Sequence, residues 1–149
     1  MTAARDGANL KGWMMMRILI AGVLAAGLGV AVPPGAARAA DDPVRFVDAV
    51  KLPNVPGKTL SAVVVNYAPG GKSPSHHHAG SVFAYVLSGA IRSENSATGP
   101  AKVYRAGESF FEPPGSTHSV SENASATEPA SLLAVFVADD DAKLTVFDK

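Results

Sequence analysis

The chain has 149 residues, with 13 Lys and Arg against 13 Asp and Glu and no cysteine. That length suits one small domain after any leader is removed. The missing cysteine excludes disulfides, thiolate metal sites and a cysteine nucleophile, and the lack of a basic run argues against a nucleic-acid partner.

Residues 1–39 read as a signal peptide. Arg17 supplies a basic start, and Ile18 to Val32 form an uncharged apolar run of 15 residues. Pro33, Pro34 and Gly35 break that run, and Ala37 and Ala39 are the small residues expected behind a cleavage point before Ala40. The run is shorter than the roughly 20 residues of a spanning helix. No cysteine follows it to carry a lipid, so no stable membrane anchor is expected. Met14, Met15 and Met16 stand just before Arg17; translation starting there would make residues 1–13 a mis-assigned start. The expected product is a periplasmic or secreted domain of residues 40–149. It carries 9 basic and 12 acidic side chains, hence a net charge of about −3. The one Trp and all four Met fall in the leader, leaving a core of Val, Leu, Ala, Phe and Tyr.

After residue 40 the apolar pattern is that of short strands. Val63 to Tyr67 is β-branched and stops at Pro69-Gly70-Gly71. Val82 to Leu87 ends at Ser88-Gly89, Ala101 to Arg105 stops before Gly107, and Ser109 to Phe111 leads into Pro113-Pro114-Gly115. Leu132 to Val137 has the uniform apolarity of a buried strand, and Leu144 to Phe147 is a last short one. Ser93 to Pro100 and Glu122 to Pro129 read as polar loops. No stretch carries a 3.6-residue apolar stripe with caps. Strands at this spacing, punctuated by eight Gly and nine Pro, predict an all-β sandwich or barrel.

The chemistry lies in four histidines. Residues two apart on a strand share a face, so His76 and His78 can aim at one point while His77 faces away. His118 follows a Pro-Gly turn and can bring a third imidazole from another strand. Three neutral ring nitrogens around an open position suit a divalent transition metal. On spacing alone, a surface histidine cluster with one unrelated histidine is an equal reading.

The residues around them carry a resemblance. Gly70, five residues, His76-His77-His78, three residues, Val82, six residues, Gly89 is similar to the first cupin motif, G-x5-H-x-H-x3–4-E-x6-G. Gly107, five residues, Pro113-Pro114-Gly115, two residues, His118 resembles the second, G-x5-P-x-G-x2-H-x3-N. Seventeen residues separate them. The chain thus resembles a small single-domain cupin. The resemblance implies a single cupin β-barrel of jelly-roll topology, built of two antiparallel sheets, with metal on His76, His78 and His118. Two positions depart from the pattern: Val82 stands where the family has a glutamate ligand, and Asn123 comes one place late. A three-histidine site favours Fe, Cu, Zn or Ni over harder ions such as Mn(II).

Glu112 could project near the metal as an acid, a base or a substitute ligand, but a surface glutamate at a strand end is the favoured reading. Phe83 and Tyr85 should lie opposite Val82, Ala84 and Val86, leaving an apolar outer face that needs cover; a homodimer is expected. Arg92 and Glu94 read as solvated strand ends, and Asp139-Asp140-Asp141 as a solvated acidic turn. Two functions follow. One is an exported metal-dependent, dioxygenase-like oxidoreductase acting on a small organic substrate. The other is a non-catalytic protein binding a small molecule or metal in the same pocket. No catalytic residue is assigned.

Overall fold

The structure is a computed structural model and describes residues 42–149. The expected signal peptide and the expected cleavage point before Ala40 lie outside the described residues. The strands in chain order are β1 (Val44–Lys51), β2 (Lys58–Tyr67), β3 (Lys72–Ser73), β4 (His76–His77), β5 (Ser81–Ser88) and β6 (Ala90–Asn95). They continue with β7 (Gly99–Arg105), β8 (Ser109–Glu112), β9 (Thr117–Asn123), β10 (Ala130–Asp139) and β11 (Val146–Phe147). There is no helix among the described residues. One sheet runs β1-β2-β10-β5-β8; the other runs β11-β4-β9-β6-β7, with β3 also on β9. All pairings are antiparallel. This is the expected all-β jelly roll.

Side-chain alternation builds the first sheet. On β5, Val82, Ala84 and Val86 are buried while Phe83 and Tyr85 are exposed. On β10, Leu132, Ala134 and Phe136 are buried in register with Val86, Ala84 and Val82. Full burial of one such Val or Leu contributes roughly 1.5–3 kcal/mol. These rows form the core with Tyr67, Ile91 and Phe110. Small residues are needed where β5 begins: a Cβ on Gly80 would clash with the Val137 carbonyl oxygen and the Ala138 side chain.

Several strands depart from expectation. β6 and β9 carry few apolar residues on their inner faces, so hydrophobic alternation gave no signal for them; β1 is exposed along its whole length, and a register shift between Phe46 and Asp48 interrupts its alternation. On β6 and β9 the buried positions include Ser93, Asn95, His118, Ser121 and Asn123, because this part of the second sheet lines a polar site. The expected loops therefore shrink: β6 extends to Asn95, and β9 takes in Glu122 and Asn123. Arg92 and Glu94 lie within β6; Arg92 pairs with Glu122 at 3.5 Å, and Glu94 accepts from Ser119 Oγ at 3.1 Å. The acidic turn is anchored as well. Asp139 meets Lys58 at 2.6 Å, and Asp140 accepts from Thr59 Oγ1 at 2.6 Å and Lys51 Nζ at 3.1 Å. Of the Leu144 to Phe147 stretch, only Val146 and Phe147 form a strand.

Candidate metal centre

His76 and His118 are cross-strand partners on β4 and β9, and His78 lies just beyond β4. All three are buried, and one nitrogen from each lies within 4.8 Å of the others. Two local devices aim them. An irregularity in the β6–β9 register makes Ser119 an extra residue, since Glu94 opposes Val120 and Asn95 opposes His118. This bulge turns both His118 and Ser121 inward although they are three apart. Gly115, at φ 70°, closes the turn before β9 and donates its N–H to the His78 carbonyl at 2.8 Å. The turn that delivers one histidine thereby holds the backbone of another.

Hydrogen bonds orient each ring. His76 Nδ1 lies 2.7 Å from the Pro74 carbonyl and His78 Nδ1 2.8 Å from the Leu144 carbonyl. A carbonyl only accepts, so both Nδ1 atoms carry the proton and both Nε2 atoms keep a free lone pair. His118 Nε2 lies 2.8 Å from Ser93 Oγ, which leaves Nδ1 facing the centre. His118 Nδ1 is buried and makes no aligned hydrogen bond, although Glu112 Oε2 is 3.1 Å away. An orphaned imidazole nitrogen beside two free Nε2 atoms is a donor set that suits a first-row divalent transition ion. Burial lowers the basicity of His76 and His78, outweighing their carbonyl hydrogen bonds. Both are thus kept in the neutral form a metal requires.

His77 turns outward as alternation demands and lies 3.1 Å from Asp148 Oδ1. Val82 points inward and is 1% exposed. Glu112 corrects the expectation of a surface residue: it is 3% exposed, and its register partner on β5 is Val82. Its Oε2 is 3.8 Å from His78 Nε2 and 3.4 Å from Asn95 Nδ2. Burial pushes the Glu112 carboxyl up, but the His118 contact and the charge of the histidines together hold it below the usual glutamate range. The alternation Phe110 in, Phe111 out, Glu112 in turns it inward, but two adjacent phenylalanines do not themselves show which of them faces the core. Asn123 is buried away from this centre, where its Nδ2 donates to the Ala68 and Glu128 carbonyls; it closes a loop.

The histidines and Glu112 line a cavity of about 310 Å³, whose other walls include Val63, Ala84, Phe110 and Leu132. Two aromatic rings flank the imidazoles: Phe136 has its centroid 5.1 Å from that of His78, and Phe147 lies 5.8 Å from His76. Sequence reasoning did not single out Phe136, Phe147 or Ser93, whose place here depends on contacts distant in the chain.

A family model described as a cupin domain matches residues 63–136, about half of the chain. Among solved structures, a double-stranded β-helix protein of Klebsiella pneumoniae is 27% identical with a TM-score of 0.50; the match covers 60% of this chain and 76% of that one. The DMSP lyase DddQ of Ruegeria pomeroyi is 22% identical, TM-score 0.50, over 59% of this chain and 42% of the lyase. Oxalate decarboxylase of Lactobacillus farciminis, in a formate complex, is 22% identical, TM-score 0.51, over 59% and 26%. The last two share the fold, and the chain spans less than half of either. No curated protein matches the chain by sequence.

Proposed function

The chain belongs to the cupin superfamily, and from that premise we propose that it is an exported metalloprotein. In this reading it holds a divalent transition metal on His76, His78 and His118 and acts as a dioxygenase-like oxidoreductase on a small, partly apolar organic substrate. One observation carries the reading: three buried imidazoles with free nitrogens converge on the wall of an apolar cavity. Such a cavity size is at the lower end for small-molecule sites.

When bound, the metal supplies Lewis-acid polarisation and, for a redox-active ion, electron transfer. The chain's own groups do the rest. The Pro74 and Leu144 carbonyls and Ser93 Oγ fix the three ring orientations. Phe136 and Phe147 keep water from the imidazoles, and Val63, Ala84 and Leu132 receive the apolar part of the substrate. Its polar end then faces the histidines. Fe, Cu, Zn and Ni all suit the nitrogen donors.

The reading includes a homodimer joined through the outer face of the first sheet. Phe83, Tyr85 and Phe111 are exposed there, in rows with Val135 and Leu133. That face offers self-complementary apolar area of the kind a two-fold interface uses. The test of function is elemental analysis of untagged protein from its native compartment, followed by oxygen uptake with candidate substrates. About one transition ion per chain and substrate-dependent uptake are expected. Bound metal without turnover of any substrate would favour the non-catalytic binding protein, and protein devoid of metal would end the metal reading.

A further inference from the structure

We propose that Glu112 is a fourth metal ligand, reaching the centre from β8 in place of a carboxylate on β5. This assignment rests on the reading of His76, His78 and His118 as metal ligands. Its first support is register. Val82 and Glu112 are directly paired across β5 and β8, and both side chains are buried. Antiparallel partners stand about 4.5–5.5 Å apart at Cβ, so a glutamate from either position can reach the same point in the barrel. The second support is spacing. Glu112 Oε2 lies 3.1 Å from His118 Nδ1 and 3.8 Å from His78 Nε2. Donors sharing one ion at about 2.0–2.2 Å stand roughly 3–3.5 Å from one another, so these separations are near those of a coordination shell.

The third support is charge. A carboxylate buried this deeply is costly unless a cation or several hydrogen bonds meet it. Among the described residues no Lys or Arg pairs with Glu112; its ionic neighbours are His78 and His118. Its one donor from an amide, Asn95 Nδ2, is long at 3.4 Å. His118 Nδ1 beside it lacks an aligned partner. A single divalent ion between them would satisfy both groups. Four protein donors, one of them anionic, would also extend the site's range toward harder ions such as Mn(II).

The experiment titrates apo-protein with Mn(II), followed by the loss of the free-ion EPR signal, and separately with Zn(II) by competition with a chelating dye. Wild type is compared with Glu112→Gln, which keeps the shape, and with the exchange Val82→Glu/Glu112→Val. The expected result is that Glu112→Gln weakens Mn(II) binding at least about tenfold and Zn(II) binding distinctly less. The exchange variant should regain most of the Mn(II) affinity. Wild-type Mn(II) affinity in Glu112→Gln would overturn the assignment and leave the three-histidine site standing. So would equal weakening of both ions, which marks a group that merely orients His118. Failure of wild type to bind either ion would instead remove the three-histidine reading, and this assignment with it.

Discussion

Val82 on β5 and Glu112 on β8 oppose each other in register, both turned into the barrel and both almost wholly buried. The pair resolves the main irregularity of the sequence. The cupin glutamate is missing from its motif, yet a carboxylate stands beside the histidines, delivered from the neighbouring strand.

The histidines should differ in consequence. His76→Ala, His78→Ala and His118→Ala should each cut metal content by tenfold or more, because each removes a buried ring nitrogen from the centre. His77→Ala should keep about one ion per chain, since His77 faces Asp148 at the surface. Metal analysis of the four variants checks this. Equal loss from all four would mean loose surface chelation.

Acid should destabilise the apo-protein in two stages. His76 and His78 have folded-state values below their ordinary 6.5, so below that pH the unfolded chain binds more protons than the native one. Stability should therefore fall as pH drops below about 6.5. Glu112 is also held below its ordinary 4.5; its contribution is present above that pH and is lost as pH falls through the lower folded value. Urea midpoints of metal-free protein between about pH 8 and pH 3, a range that spans both reference values, should hold down to about pH 6.5 and decline below it. A flat profile would contradict the burial of these groups.

Gly80→Ala should cost about 1–3 kcal/mol, the usual penalty of overpacking. The added Cβ would meet the Val137 carbonyl oxygen and the Ala138 Cβ. Since Gly80 lies two residues beyond His78, metal affinity should fall as well. Denaturant unfolding and metal titration measure the two effects; a variant as stable as wild type would show that β5 and β10 are less closely opposed.

Phe83→Asp should leave the barrel folded but separate the proposed dimer. Phe83 is 47% exposed in the single chain and sits beside Phe111 on the outer face. Sedimentation equilibrium should give twice the chain mass for wild type and the chain mass for the variant. A monomeric wild type would remove the dimer from the proposal.

Intact mass of the protein from the periplasm should correspond to a chain starting at Ala40. Full-length material retained in the membrane fraction would instead indicate an uncleaved segment.

The strand punctuation and the order of the two motifs were legible in the sequence, because turns are written in local Gly and Pro and burial in alternation. So was the outward direction of His77, which follows from a period of two. Longer-range relations were not. β6 and β9 are hidden because their inner faces carry Ser, Asn and His where an apolar pattern is sought. The bulge at Ser119, which turns His118 inward, is a property of two strands in register. Glu112 is the clearest case: its local sequence fits an exposed strand end as well as a buried one. Only the pairing of β8 with β5 decides that its carboxylate lies inside, next to His118 and opposite Val82. Local chain geometry limits which way a side chain can point, and what it meets there depends on strands brought together from elsewhere in the chain.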